Sequence, residues 1–366
     1  MADSIFIILL LIPFLFYISL GLRFLVALPL LFPFLVYVGV TRDPLAPTDA
    51  YAYFDLINGV DRISSPILFK MIADMLNLIS FNQVDLAFQF FTYLPILIII
   101  LCCAAYSAIF PLALFACSES FVLLSFNGLR QGVATCLAIA AIGVILYPFA
   151  RKVPHRLTYA RLLTALLLLI FASTIHPILL ALTALSCGVI AFRKVSPYLV
   201  SIVKGALPTR LLAIIVYTVI AVALLCFLDL AALNLSYLKM LAYLTRGETY
   251  NSGILGSVYR VAYCSLIGFI FYNDKKGWFS VLPDSHPFRI TVTSIYISLS
   301  FISLFGLLFA HQVLTRFSYM WLVPAAILLL TPVSRQSRII LAILFLFLSV
   351  VTYSSTAVLY NLYGFP

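Results

Sequence analysis

The chain of 366 residues is 64% hydrophobic and only 9% charged, and its mean hydropathy is +1.16. Soluble domains carry about 25% charged residues, so this composition excludes a soluble fold. The formal net charge of +10 does not indicate nucleic-acid binding, because the basic residues lie in short loops between apolar segments. No polar stretch is long enough for a separate soluble domain. We therefore predict a single polytopic membrane domain over residues 1–366.

The apolar segments have lengths close to the ~20 residues that a helix needs to cross a bilayer. They are continuously apolar and do not alternate in polarity, which favours helices over the strands of a barrel. The sequence predicts an all-α bundle of about twelve transmembrane helices, the first of them retained and not cleaved as a signal peptide. The predicted spans lie near residues 5–21, 24–40, 84–104, 107–125, 132–149, 162–175, 177–192, 211–232, 258–272, 290–309, 317–331 and 339–359.

Two segments depart from the regular pattern of spans. Residues 66–80 have apolar positions at helical spacing together with Lys70 and Asp74, which predicts a helix along the membrane surface. His176-Pro177 interrupts the apolar run 162–192, and we predict two short helices that meet at His176.

Lys and Arg accumulate in one alternate set of loops, whereas most acidic residues lie in the other set. Because basic loops stay in the cytoplasm, loops 41–83 and 233–257 are predicted to face outward, together with both chain ends. The seven cysteines fall within or at the edges of apolar spans without a CxxC pair, which is typical of small buried residues. We expect no metal site.

The polar residues near the outward ends of the spans are the candidates for chemistry. Asn127 and Arg130 lie three residues apart on one helical face and could bind one anion, with Gln131 beside them. Taken alone, Arg130 could also be an interfacial arginine that extends to lipid headgroups, and His176 a hydrogen-bonded core histidine. Arg316 and Tyr319 could belong to an interfacial belt. From the local sequence alone, the loop with Arg246, Glu248 and Tyr250 is more typical of a solvated surface charge pair.

Together these residues resemble the EpsG/Wzy family of polysaccharide polymerases. The resemblance rests on an acidic, tyrosine-rich first outward loop, N-x-x-R-Q-x-x-A at 127–134, an isolated histidine at a span break at 176, and R-x-x-Y at 316–319. It covers residues 40 to 330 and is most specific in NGLRQGVA. The last predicted span matches no motif of the family.

The resemblance implies a GT-C-like glycosyltransferase in the bacterial inner membrane with its active site facing the periplasm. Its donor and acceptor would be undecaprenyl-diphosphate-linked oligosaccharides, with a chain-length regulator and a flippase as possible partners and no cofactor. Preplaced guanidinium groups of Arg130, Arg316 and Arg246 would stabilise the charge that develops on the leaving lipid diphosphate, without a metal.

The acceptor hydroxyl needs a base, for which His176 and Asp49 compete and His176 is preferred. Tyr51 and Tyr53 on the first loop could hold a sugar, although tyrosines there could equally form an interfacial belt. Glu119 could orient Arg130 by an ion pair or only satisfy it structurally. The remaining substrate contacts are assigned to Asn127, Gln131, Tyr250 and Tyr319, with Glu248 in support.

Three rival functions share this sequence pattern. A polysaccharide flippase or transporter agrees with about twelve spans, but the two halves show no internal similarity, and the ionisable residues lie at one face and not at mid-span. A glycan ligase or a polyprenyl-phosphate-sugar transferase would use related donors and the same arginine chemistry. A non-catalytic scaffold would leave the polar residues dispensable.

Overall fold

The computed structural model describes about two thirds of the chain. The described residues are Leu11, 37–38, 41–43, 45–47, 49–60, 65–106, 108–150, 155–176, 178–179, 182–183, 186–188, 190, 252–284, 286–309 and 316–363. All regular secondary structure within these ranges is helical. The predicted spans 211–232, 5–21 and 24–40 therefore lie outside the described residues, apart from Leu11, Tyr37 and Val38, and the span 177–192 is described only in part.

Two compact units make up the chain. The first comprises Met1–His176, Ile267–Val281 and Ala325–Pro366, and the second comprises Pro177–Leu266 and Leu282–Pro324. The helices of the N-terminal half belong to the first unit. They are α1 (Ala50–Ile57), α2 (Ile67–Ile79), α3 (Val84–Tyr106), α4 (Phe110–Cys117), α5 (Glu119–Val122), α6 (Leu129–Ala150) and α7 (His155–Ile175).

The C-terminal half contributes six further helices to the described part of the chain. They are α8 (Ser252–Asn273), α9 (Trp278–Val281), α10 (Pro287–Phe309), α11 (Leu322–Leu329), α12 (Arg335–Tyr353) and α13 (Thr356–Tyr363), with a 3₁₀ turn at Tyr319–Trp321 before α11. In the second unit, α10 packs on this 3₁₀ turn.

Three of the described helices are long and apolar enough to cross a membrane: Val84–Tyr106, Leu255–Asn273 and Arg335–Tyr353. Shorter apolar helices cover Leu129–Val144, Tyr159–Ile175, Phe288–Leu304 and Arg316–Leu329. The helical, membrane-type character expected from the composition is confirmed at this level. α7 ends at Ile175, directly before the break predicted at His176-Pro177, because proline lacks the N–H that would continue the helix.

The segment predicted as one span over 107–125 is instead a bent pair of helices. α4 ends at Cys117, Ser118 is extended (φ −107°, ψ 158°), and the second arm runs over Glu119–Asn127 at 84° to the first. The last five residues of that arm, Leu123–Asn127, form a π-helix closed by a 2.5 Å bond from the Gly128 N–H to the Leu123 carbonyl. π-helical turns are rare and occur frequently at functional sites.

α2 confirms the helix predicted over 66–80 and is amphipathic. Phe69 and Ala73 are fully buried against the first unit, whereas an apolar row on the opposite side is exposed. This row consists of Ile67, Met71, Met75, Leu78 and Ile79. Such an exposed apolar face is typical of a helix in contact with lipid. The turn after α2 holds Phe81 and Asn82 at positive φ, 54° and 60°.

Candidate functional site

Three aromatic rings from α1, α2 and α3 fix the position of the first outward loop. The ring of Tyr53 lies 6.0 Å from Phe69 and 6.1 Å from Phe91, and the latter two rings are 4.9 Å apart. All three side chains are buried. Edge-to-face and tilted pairs at these distances stabilise the contact beyond the burial of area. Tyr53 is therefore held rigidly against the start of α3.

The hydroxyl of Tyr53 reaches the first turn of α6. The positive charge of Arg130 acts on this hydroxyl and favours the ionised phenol, so the two groups lie close together. Close by, the backbone N–H of Asp49 donates to Oδ1 of Asn127 at 3.1 Å. These contacts join the first loop to the NGLRQ segment. We call Asp49, Tyr53, Asn127 and Arg130 the Arg130 cluster.

The π-helical turn and a close backbone contact hold Asn127 and Arg130 in place. A Cβ atom on Gly132 would lie 2.0 Å from the carbonyl oxygen of Leu124. Only glycine permits α6 to approach the second arm of the bent pair this closely. Asn127 and Arg130 therefore sit on two segments that touch backbone to backbone.

A second arginine, Arg42, is buried next to the Arg130 cluster. Only 5% of its surface is exposed. Its Nη2 donates to Oγ1 of Thr92 on α3 at 2.6 Å, and its Cζ lies 4.0 Å from the centre of the Phe126 ring. Phe126 directly precedes Asn127 in the π-helical turn. The first loop thus contacts the turn at both Phe126 and Asn127.

Burial dominates the electrostatics of both groups on the first loop. It lowers the pKa of Arg42 to about 10, although Tyr93 and Asp43 favour the charged form. Arg42 therefore stays protonated at neutral pH. Burial raises the pKa of Tyr53, and the positive charge of Arg130 opposes this effect only in part. The phenol remains neutral, so Arg130 has an uncharged oxygen as its neighbour.

The structure gives the two tyrosines of the first loop different roles. Tyr51 is 61% exposed. Its role in binding a sugar stays a prediction. Tyr53 has no exposed face on which a sugar ring could stack. Its position assigns it instead to holding Arg130.

The other predicted residues of the first unit lie on α5 and α6 and directly after α7. Gln131 is buried in α6, and its backbone carbonyl accepts a 2.7 Å hydrogen bond from Oγ1 of Thr135. Glu119 is half-buried at the start of α5. His176 is half-buried directly after α7, and its backbone N–H donates to the backbone carbonyl of Ala172. Their roles as contact, orienting group and base stay predictions.

Arg316 and Tyr319 belong to the second unit. Arg316 is exposed, whereas the ring of Tyr319 lies under a buried arginine of α8, Arg260, whose Cζ is 3.8 Å from the ring centre. Arg260 also donates through Nη1 to Oγ of Ser318. Tyr319 of the R-x-x-Y motif therefore packs against Arg260. The arginine that the sequence selected was Arg316.

The third predicted arginine, Arg246, lies outside the described residues, as do Glu248 and Tyr250. Within the described ranges, no group of three or more His, Cys, Asp or Glu side chains could hold a metal ion.

Sequence reasoning missed Arg42 and Arg260 as buried cations. Arg42 is followed by Asp43 in a polar loop, a pattern typical of solvated charges, and Arg260 lies in the first half of a predicted span. An arginine inside an apolar span was the available signal for Arg260.

No match to the chain is found among protein-family models, curated proteins or solved structures.

Proposed function

We propose that this protein is a membrane glycosyltransferase that polymerises undecaprenyl-diphosphate-linked oligosaccharide repeat units on the periplasmic face of the bacterial inner membrane. The product would be a surface polysaccharide such as an O-antigen, a capsule or an exopolysaccharide. The fold would be GT-C-like. The acceptor and donor are both lipid-linked, and no cofactor takes part.

The observation that carries this proposal is the contact between the first outward loop and the NGLRQ segment. Asp49 and Asn127 are 78 residues apart along the chain, yet the backbone N–H of Asp49 donates to Oδ1 of Asn127. Arg130 also acts electrostatically on Tyr53 of the same loop. The pairing favours a common site over independent interfacial anchors, since a lipid-anchoring arginine needs no partner from a distant loop.

The chemistry of Arg130 suits a lipid diphosphate. Its neighbour Tyr53 is a neutral phenol, because burial raises the pKa of that group, so Tyr53 does not neutralise the positive charge of Arg130. As the glycosidic bond of the donor breaks, negative charge develops on the diphosphate leaving group. A guanidinium already held in place stabilises this charge without reorganisation. Tyr53 and Gly132 act here as positioning residues.

The base for the acceptor hydroxyl remains a choice between two groups. The carboxylate of Asp49 makes no hydrogen bond that caps α1, although Asp49 is the N-cap residue. Its backbone is fixed to Asn127 beside Arg130, so it lies close to the proposed donor site. His176 has the better-matched intrinsic pKa for a base near neutral pH. The amounts of polymer formed by Asp49→Asn and by His176→Gln distinguish the two candidate bases.

Gel analysis of surface polysaccharide tests the proposed function. Cells that lack the gene are complemented with the wild type, Arg130→Ala, Arg130→Lys or Arg335→Ala, and membrane levels of each protein are matched by immunoblot. We expect long chains to vanish and a single repeat unit to persist with Arg130→Ala. Arg130→Lys should restore only a small fraction, because an ammonium cannot reproduce the fork of a guanidinium. Arg335 is exposed at the start of α12 and serves as the matched control.

The other functions predict different gels. Absence of surface glycan of every length in the deletion strain would favour a flippase or an earlier transferase. Accumulation of unattached long chains would identify a ligase. Wild-type polymer from Arg130→Ala would contradict the role assigned to this arginine, and a deletion strain with normal polymer would overturn the proposal as a whole.

A further inference from the structure

Arg42 is the most deeply buried cation of the first unit among the described residues with a known exposure. It is 5% exposed, against half-burial for Arg130. Its described contacts are the hydroxyl of Thr92, the face of Phe126, and electrostatic interactions with Tyr93 and Asp43. Only one of the three guanidinium nitrogens thus has a hydrogen-bond acceptor.

The other two guanidinium nitrogens of Arg42 are buried, and none of the described residues accepts a hydrogen bond from them. Nε and Nη1 of Arg42 are enclosed and have no hydrogen-bond partner in the described part of the chain. Together they carry three N–H groups, since a guanidinium has five donors. Burying donors without acceptors costs folding free energy, and the cost is larger when the group is charged.

The nearest anionic side chain does not neutralise Arg42. Asp43 follows it directly and favours its charged form, but no carboxylate of the described residues lies within 4.0 Å of the guanidinium. Asp43 is engaged elsewhere: its Oδ1 accepts from the N–H of Leu45 at 2.9 Å, and its own N–H donates to Leu362 on α13. The charge of Arg42 is therefore held in the interior mainly by Thr92 and by the face of Phe126.

The position of Arg42 along α3 adds to the argument. Thr92 follows Val84 by eight residues, which places it about 12 Å along α3. α3 has the length and hydropathy of a membrane span. An ionisable residue at such a depth raises the free energy of the folded protein, and in membrane proteins such residues mark substrate and ion pathways.

We propose that Arg42 binds an oxyanion of the phosphate class through its Nε–H and Nη1 groups, and that it forms a second cationic group of the site that contains Arg130. This inference deepens the proposed function, because a lipid-linked substrate carries two phosphates. The phosphate group could come from a polyprenyl-linked substrate or from a bilayer phospholipid. Since the guanidinium is enclosed in this structure, binding requires the segment around Asp43 to shift.

Binding is measured on the purified full-length protein in a phosphate-free maltoside detergent. The probes are undecaprenyl phosphate and phosphatidylglycerol, and the readouts are native mass spectrometry of bound lipid and the probe-induced shift in Tm. The variants are Arg42→Met, Arg42→Lys and Thr92→Val, with Arg335→Met as the matched control. Methionine has a similar length to arginine and removes the charge without leaving a large cavity.

The proposal predicts opposite effects on stability and binding. Arg42→Met should leave the Tm without probe unchanged or raised, because it removes donors that have no acceptor, and should weaken undecaprenyl phosphate binding at least tenfold. Arg42→Lys should weaken binding less, and Thr92→Val should weaken it slightly. Equal loss of both probes would identify the bilayer headgroup as the source, and selective loss of undecaprenyl phosphate would identify the substrate.

Binding within twofold of the wild type in Arg42→Met would overturn the proposal. A second result would also overturn it. If Arg42→Met has a much lower Tm or fails to accumulate, and Arg42→Lys binds the probe as the wild type does, the role of Arg42 is structural. These results are separable from the gel assay of polymerisation. Loss of binding in Arg42→Met, together with normal polymer in the strain that lacks the gene, would retain the anion site and refute the polymerase. Normal binding in Arg42→Met, together with loss of long chains in the strain that lacks the gene, would do the reverse.

Discussion

Gly132 shows how one residue controls the geometry of the Arg130 cluster. The Cβ of any other residue there would lie 2.0 Å from the Leu124 oxygen and 2.9 Å from the Leu124 carbonyl carbon. Both are backbone atoms of the π-helical turn, so they cannot move without displacing Phe126 and Asn127. Space, and not backbone conformation, requires glycine at this position.

Gly132→Ala should therefore destabilise the protein by about 1–3 kcal/mol and reduce polymer formation. Thermal unfolding in detergent and the gel assay measure the two effects. Gly128→Ala is the matched control, because its Cβ would lie 3.4 Å from the Leu123 oxygen, an ordinary contact. Equal Tm values for the two variants would contradict the close contact.

At the residue scale, spacing selected Asn127 and Arg130 for a reason that was wrong. They were predicted on one helical face, but Asn127 ends the π-helical turn and Arg130 lies in α6, which begins after Gly128. Asn127 nevertheless contacts Asp49 of the first loop. Arg42 could not be selected, because burial depends on how the loop packs against α3 and the π-helical turn. The opposite packing of Tyr51 and Tyr53 likewise follows from the tertiary structure.

At the scale of elements, the bent pair needs hydrogen bonds from elsewhere in the chain. The extended conformation at Ser118 ends the ladder of α4, so carbonyls in its last turn lose their usual N–H partners. One of them, Ala116, accepts a 2.7 Å hydrogen bond from the hydroxyl of Tyr353 on α12, which is buried. α12 thus stabilises a break made more than 200 residues earlier.

Tyr353→Phe should lower the free energy of unfolding by about 1–3 kcal/mol, because it leaves the Ala116 carbonyl buried without a donor. Tyr360→Phe removes a hydroxyl that is much more exposed and should change the stability little. Thermal unfolding of both variants checks the prediction. A destabilisation no larger than that of the control would show that the bend does not depend on this bond.

A carboxylate organises the start of α12. Oδ2 of Asp274 accepts from the N–H of Ser334 at 2.8 Å, and the Ser334 side chain in turn accepts from the N–H of Ser337. Burial alone would raise the pKa of Asp274, but these and further hydrogen bonds from Ser337 and Lys276 outweigh it, and the net effect is a lowered pKa. The ionised carboxylate is therefore the stabilising form.

Because the folded protein has the lower pKa, this stabilisation is present above about pH 4, the ordinary value for Asp, and is lost as the pH falls through the folded pKa. Asp274→Asn should be less stable than the wild type at pH 7, and the difference should shrink below pH 4. Thermal unfolding between pH 3 and pH 7 measures it. Asp284→Asn, at a site with an 89% exposed side chain, is the control. A difference independent of pH would contradict the assignment.

Helices were predicted best where hydropathy changes sharply at their ends. Val84–Tyr106 and Ile67–Ile79 differ from the predicted 84–104 and 66–80 by at most two residues. The bend at Ser118 was missed because no proline or glycine lies at the break, although the polar run Ser118-Glu119-Ser120 marks it within an otherwise apolar segment. Hydropathy measures the tendency to be buried and contains no direct information on helix direction.

At the scale of the whole molecule, the orientation of the loops remains a prediction from the distribution of basic residues. Asn58, after α1, should face the periplasm, and Lys275, after α8, should face the cytoplasm. Both are exposed and accept a cysteine. A membrane-impermeant maleimide should label Asn58→Cys in cells with a permeabilised outer membrane, and Lys275→Cys only after the inner membrane is opened. Labelling of both from the outside would contradict the orientation.

The hydrogen bond between Asp49 and Asn127 also constrains the parity of membrane crossings. Two points of a chain that touch at one face of a bilayer must be separated by an even number of crossings. α3 has the length of one crossing and lies between them. With both residues at the outward face, as the loop charges predict, the bent pair supplies the return crossing. We therefore predict that the pair is a broken span and not a re-entrant loop, so that all later segments keep the sidedness that a straight helix would give them.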